Sequence, residues 1–238
     1  MKNLVVSLFI LLLLFFVSSV FTSCSDSVEP IAENLPYMSL KIGDERQIVF
    51  ATDSSTIFYR VNGSANRSDG MPVFSYAWYY GTDTTPNISY YGIKDGFFIA
   101  TELDTVKDSS NFIPSNPFRE QRLAKLFPSN GDTWQSIVGD SLSGYFIASD
   151  IGAQQTFAST FNNCFSYKFS DILSVIYSKG IGHIASIYLP DSSAYLSSYI
   201  KVNNKIYGSK MPPKDPFFPG TAKNKNSKEI LSFLLGKQ

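Results

Sequence analysis

One histidine and two cysteines in 238 residues remove most metal chemistries at the outset. Zinc sites draw their ligands chiefly from His and Cys, so a site built around His183 and Cys164 would need carboxylates for its remaining ligands. No such acidic cluster is present in the sequence, and neither is the Asp-x-Asp-x-Asp spacing that holds calcium. The glycines near position 180 lack the helix and lysine that would make them a phosphate loop. Charge is scarce as well. Charged residues make up 17% of the chain, with 20 basic against 20 acidic. Nucleic acid demands a concentrated basic surface, so it is excluded as a partner. No metal and no cofactor is expected.

What the chain has instead is aromatic residues: 14 Tyr, 20 Phe and 2 Trp, 15% of the sequence. Few charges with many aromatics describe extended sheet, since large and β-branched side chains fit a pleated, half-buried surface. Runs rich in Val, Ile, Phe and Tyr recur at Gln47 to Thr52, Thr56 to Val61, Val73 to Tyr80, Ser89 to Ile93 and Phe97 to Thr101. Further candidates are Trp134 to Val138, Gly144 to Ala148, Thr156 to Thr160, Cys164 to Phe169, Leu173 to Tyr177 and His183 to Leu189. Lys94-Asp95-Gly96 sits between two such runs and Asn203-Asn204 between Tyr199 to Val202 and Lys205 to Tyr207; both predict tight hairpins, because the turns need positive φ. The expected fold class is mainly β: a meandering antiparallel sheet, curved or partly closed like a barrel or sandwich, with one or two short helices. Those helices are predicted at Phe118 to Phe127, stopped by Pro128, and at Ser227 to Leu235, between Ser227 as N-cap and Gly236 as C-cap.

The amino-terminal segment reads differently. Lys2 precedes an apolar run from Leu4 to Val17, then small residues, then Phe21-Thr22-Ser23-Cys24. A basic start, an apolar stretch and a small-residue cleavage region describe a secretory signal peptide. The tetrapeptide resembles the lipobox of bacterial lipoproteins, with Phe21 in the place usually held by Leu. In that family signal peptidase II cuts before the Cys, which carries a diacylglyceryl group and an acylated (palmitate-type) amino terminus. The resemblance implies lipidation at Cys24 and attachment to the outer membrane, since Ser25 stands where Asp would favour inner-membrane retention. A retained helix is the alternative. The stretch from Leu4 to Phe21, about 18 residues, is at the short end for a bilayer span, and no Lys/Arg cluster follows it.

This divides the chain into a signal peptide over 1–23, a polar tether over 24–34, one mainly-β domain over 35–208, and a Pro- and Lys-rich connector with the terminal helix over 209–238. Removing Lys2 with the signal leaves 19 basic residues against 20 acidic. If Cys24 is acylated, Cys164 has no partner for an internal disulfide. Its alternation with Phe161, Phe165 and Tyr167 predicts a buried, inert thiol. Leu40-Lys41-Ile42-Gly43-Asp44 and Asn130-Gly131-Asp132-Thr133 form a faint internal echo, each placing Gly-Asp at a turn into a strand. With Lys179-Gly180-Ile181-Gly182, they resemble turns in a loose group of uncharacterised bacterial lipoproteins, from which no activity carries over.

Two motifs raise chemistry. Val138-Gly139-Asp140-Ser141-Leu142-Ser143-Gly144 resembles the nucleophile block of GDSL esterases, which implies Ser141 as a hydrolase nucleophile. That family also needs an Asp three residues before a catalytic His. Before His183 that place is Gly180, and the Gly-x-Asn-Asp block is missing, so Gly139 to Ser143 reads as a turn. His183 itself reads as structural, on the opposite face from Ile184. Tyr76-Ala77-Trp78-Tyr79-Tyr80 puts rings on both faces of one strand, and Phe112, Phe118, Phe217 and Phe218 lie in Pro-containing loops. Such rings could contact a glycan or an apolar ligand, or simply fill a core. The expectation is a lipid-anchored, non-catalytic envelope protein that binds or presents a ligand, glycan or envelope partner. A structural subunit of an outer-membrane assembly is the alternative, and a hydrolase the third reading.

Overall fold

Each β-rich run becomes a strand where alternate side chains have an interior to enter. The computed structural model describes residues 35–38, 40–105, 117–138 and 143–215. Along them thirteen antiparallel strands form one sheet. They are β1 (Glu45–Phe50), β2 (Thr56–Asn66), β3 (Pro72–Tyr80), β4 (Asn87–Lys94), β5 (Phe97–Thr101), β6 (Gln121–Lys125) and β7 (Thr133–Gln135). The second half holds β8 (Tyr145–Gln155), β9 (Thr160–Phe169), β10 (Leu173–Ser178), β11 (Gly182–Tyr188), β12 (Ser193–Val202) and β13 (Lys205–Gly208). Strand order runs β6-β5-β4-β3-β2-β1-β12-β11-β10-β9-β8-β7, with β13 paired to β12 off that path.

Sequence neighbours thus lie side by side and β12 returns to β1, the order of an up-and-down barrel. At the seam β6 meets β7 through a few bonds: the Arg122 N–H donates to the Ser136 carbonyl (2.7 Å) and Gln121 Nε2 to the Ser136 hydroxyl (3.2 Å). Lys125 pairs with Asp132 at 2.7 Å beside them. The barrel is nearly closed.

The predicted hairpins form with the backbone they require. Asp95 and Gly96 have φ of 51° and 78°, Asn203 and Asn204 of 51° and 64°. The Gly-Asp echo is also one turn used twice. The Asp44 N–H donates to the Lys41 carbonyl and the Asp132 N–H to Ser129 (both 3.1 Å), with Gly43 and Gly131 at φ of 92° and 86°.

Two expectations change. Phe118 to Phe127 is not a helix: Gln121–Lys125 is β6, paired with β5 in the register Phe98↔Ala124 and Ile99↔Arg122. Its Gln, Arg, Leu, Ala and Lys favour helix locally, but pairing with β5 and burial of Leu123 and Ala124 outweigh a few tenths of a kcal/mol per residue of propensity. Thr156 to Ser159 is a turn rather than a strand. The Thr156 hydroxyl accepts from the N–H groups of Ala158 and Ser159 (both 3.2 Å) and donates to the Ser159 carbonyl (2.9 Å), replacing the ladder. The helix expected at Ser227 to Leu235 lies outside the described residues. Of the connector, residues 209–215 run against β1 and β2, where the Met211 N–H donates to Gln47 (2.6 Å) and the Lys214 N–H to the Thr56 hydroxyl (3.0 Å).

Two apolar clusters lie on opposite faces of the same strands. The larger fills the barrel and takes Val175 and Tyr177 from β10, while Ile176 between them joins the second. Phe161, Cys164, Ile181, Ile184, Ala185, Ile200 and Val202 complete that second cluster, with Ala158 and Tyr207 among the residues packed against it. The β8–β9 hairpin reaches it by bending. Its register shifts on both sides of Gly152, Asn163 stands at φ 52°, and its tip donates from the Ala158 N–H to the Ser197 carbonyl of β12 (2.8 Å).

Candidate functional site

Aromatic residues of β2 to β5 build one wall of the barrel interior. Tyr59 stands opposite Trp78 in the β2–β3 register, and their rings are 4.3 Å apart. Tyr76 meets Tyr91 edge-on at 4.6 Å, and Tyr91 stacks on Phe98 at 5.2 Å. Within the predicted aromatic strand, period-two alternation separates the rings. Tyr76, Trp78 and Tyr80 face the interior, whereas Tyr79 lies on the other face near Phe58. Val175, Tyr177 and His183 form the facing wall. Between the walls lies a cavity of about 40 Å³, closed also by Met38, Ile48, Ile57 and Leu123. Tyr80 is half-buried and the other lining residues are buried, so Tyr80 marks the mouth.

His183 reaches this wall through a β-bulge. Tyr177 pairs with His183 and Ile176 with Ala185, so β11 carries one extra residue there. Without it, His183 and Ala185 would share a face; with it, His183 and Ser186 do, and Ile184 and Ala185 both go to the second cluster. His183 Nδ1 is 3.1 Å from the Tyr59 hydroxyl and Nε2 is 2.8 Å from the Ser186 hydroxyl. Burial first, and the positive charge of Arg46 second, lower its pKa from 6.5 to about 3. The imidazole is neutral, so one nitrogen donates and the other accepts. Both are in use, and His183 sits in the wall as a hydrogen-bonding hub.

Arg46 is the residue that the sequence gives no cause to single out. It is 1% exposed, its guanidinium lies 5.9 Å over the Tyr59 ring, and Nη2 donates to the Ile181 carbonyl. Gly182, at φ 98°, makes room: a Cβ there would stand 2.7 Å from Nη2 and 3.0 Å from Met38 Sδ. The Gly-Ile-Gly turn thus seats an arginine as well as reversing the chain. No carboxylate lies within ion-pair distance of Arg46 among the described residues. Asp44 is the acid that feels its charge most, and burial raises the Asp44 carboxyl pKa, against ionisation.

Four residues that line the cavity each carry a buried polar atom with no hydrogen-bond partner in the protein: Tyr76, Tyr80 and Tyr91 at the hydroxyl, and Trp78 at Nε1. Burial raises all three phenol pKa values, so they stay protonated and able to donate. A buried donor left unpaired costs about 1–3 kcal/mol. Asp44, Ser89, Trp134 and Ser197 also hold unpartnered atoms, but none of them lines the cavity.

The other candidates lie elsewhere. Cys164 is a free thiol buried in the second cluster, its pKa raised to about 11 mainly by burial. Phe118 is buried under the Arg67 guanidinium at 3.9 Å, within an ion-pair network of Arg67, Asp69, Glu120 and Lys94. Ser143 braces the entry to β8: its hydroxyl accepts from the Ile137 N–H and lies 3.1 Å from the Ile137 carbonyl as well. Cys24, Ser141, Phe112, Phe217 and Phe218 lie outside the described residues. Among the described residues, no group of three or more His, Cys, Asp or Glu is placed to hold a metal.

No family model matches the chain, and no curated protein matches it. A solved structure from Parabacteroides distasonis, described as a "putative lipoprotein", is similar over 72% of this chain and 98% of its own, at 10% identity and a TM-score of 0.37. A likeness of that degree carries no argument about fold or function.

Proposed function

We propose that this chain is a lipid-anchored protein of the cell envelope, acylated at Cys24 and held in the outer membrane, whose barrel is a non-catalytic binding module. Support for the anchor is the order Lys2, apolar Leu4 to Val17, small residues and Cys24. The binding reading rests on one observation: a cavity walled by aromatic rings, four of whose lining residues carry buried polar groups without protein partners. Catalysis requires converging acids, bases or nucleophiles. The residues lining this cavity are aromatic and aliphatic, and its one imidazole already has both nitrogens bonded. A hydrolase working through Ser141 would have to take His183 from those bonds.

A structural role in an outer-membrane assembly is the second reading. It is favoured by an apolar stripe on one face of β8, where Tyr145, Ile147 and Ile151 are 58%, 45% and 37% exposed. Native mass spectrometry of the full-length protein from bacterial membranes in mild detergent tests these readings together. A mass increment for acyl chains that Cys24→Ala abolishes, plus a small molecule lost from a Tyr76→Phe variant, is the expected result. An unacylated protein would sink the anchor. A stoichiometric partner protein with no bound small molecule would favour the assembly reading.

A further inference from the structure

We infer that the end of the barrel at which Leu35 enters rests on the lipid surface, with Leu35, Ile42, Ile93 and Phe127 set among the headgroups. The inference depends on the anchor at Cys24, and adds which face of the barrel that anchor holds against the bilayer. The meander decides which connections share an end. In an antiparallel up-and-down order, every odd strand starts and every even strand finishes at the same end. That end therefore gathers the approach to β1, the β4–β5 turn, the β6–β7 connection and the β10–β11 and β12–β13 turns.

Four large apolar side chains are exposed there. Leu35 (39%) and Ile42 (54%) precede β1, Ile93 (46%) stands beside the β4–β5 turn, and Phe127 (58%) follows β6. Hydrogen bonds make three of them neighbours. The Leu126 N–H donates to the Gly96 carbonyl and the Leu126 carbonyl accepts from the Tyr37 N–H, both at 2.9 Å. Phe127 is thereby set beside the turn that follows Ile93 and beside the segment that Leu35 begins. Ile42 stands farther round the same rim, in the turn where the Asp44 N–H donates to the Lys41 carbonyl. Single exposed apolar residues are ordinary on any surface, but four gathered at one end form a patch that calls for cover.

The course of the chain says what covers it. Ten residues, 25–34, separate Leu35 from Cys24, a reach of at most roughly 40 Å. Acyl chains on Cys24 hold the end at which Leu35 enters close to the bilayer, and the tether raises its effective concentration there. Side chains too few to bind a membrane alone then gain by leaving water. Val138 and Ile172 are exposed on connections at the opposite end, a strand's length away, which for the six residues of β10 is roughly 20 Å.

The test uses acylated protein from bacterial membranes, reconstituted in phosphatidylcholine vesicles, with bimane on one introduced cysteine. Ser129→Cys puts the probe near Phe127, and Thr84→Cys puts it in the β3–β4 connection at the opposite end; both positions are exposed. Cys164 is buried and Cys24 acylated, so wild type should take no label. Doxyl-labelled phosphatidylcholine should quench the probe at position 129 and spare the one at position 84, whereas iodide in the water should do the reverse. Adding Ile42→Ser and Phe127→Ser should abolish the lipid quenching at position 129 and leave the melting temperature unchanged, because both side chains are exposed. Equal quenching at the two positions by either agent, or lipid quenching that survives loss of Ile42 and Phe127, would overturn the inference and leave the anchor standing. Label taken up at Cys24 of wild type would sink the anchor, and the inference with it.

Discussion

His183 shows how burial turns a titratable side chain into a structural one. Its folded pKa lies below its unfolded one, so the unfolded chain binds more protons at every pH between about 3 and 6.5. Stability must therefore fall as pH drops below 6.5, approaching about 1.4 kcal/mol per pH unit until the folded state protonates as well. Asp69, Glu120 and Asp132, whose pKa values are lowered by their ion-pair partners, act in the same direction, but only inside the carboxylate range. Urea unfolding at pH 6.5 and 5.5 isolates the histidine. The midpoint should decline in wild type and stay flat in His183→Gln; an equal decline in both would remove His183 as the cause. Cys164 makes the complementary case. A thiol raised to about 11 and buried in the second cluster should react with Ellman's reagent only after unfolding, and melting should be unchanged by dithiothreitol. A lower melting temperature in reductant would contradict this.

Elements here are decided by turns and pairing more than by propensity. Asp95-Gly96 and Asn203-Asn204 adopt the positive φ that two-residue hairpins need, and a local signal suffices for them. The tip of the β8–β9 hairpin depends on one hydroxyl. Thr156 satisfies two N–H groups and one carbonyl, and it shapes the turn that reaches Ser197. Thr156→Val keeps the shape and removes those bonds, so it should cost about 1–3 kcal/mol in urea unfolding, with Thr156→Ser restoring most of it. A Val variant as stable as wild type would show that the turn is held by packing alone. β6 is the opposite case, a helix-prone segment drawn into a strand by the hydrogen-bonding edge of β5.

On the scale of the whole molecule, closure depends on segments that are not strands. The Tyr37 N–H donates to the Leu126 carbonyl after β6, and the Gly180 N–H before β11 donates to the Pro36 carbonyl. Residues Pro36 to Met38 thus bridge the two sides of the barrel, with Met38 2% exposed against the cavity. Met38→Ala should destabilise by about 2–5 kcal/mol, the usual cost of emptying a core position. It should also enlarge the cavity enough for xenon to enter under pressure in a crystal. Unchanged stability and no bound xenon would show that the bridge is dispensable.

The meander, both tight hairpins, the repeated Gly-Asp turn and the division of the Tyr76–Tyr80 rings between two faces were legible from residues alone. Each follows from local rules: period-two alternation, and backbone φ that few residues accept. Lipidation at Cys24 is likewise a matter of sequence and stands as a proposal on those grounds. What the sequence could not show depends on residues far apart in the chain. The bulge that brings His183 to Tyr59, the seating of Arg46 beside Gly182, and the docking of the β8–β9 tip on β12 all join distant strands. So does the choice of strand over helix at Gln121–Lys125. Only tertiary structure decides such features, because burial and strand pairing belong to neighbours brought together by folding and outweigh what any segment prefers alone.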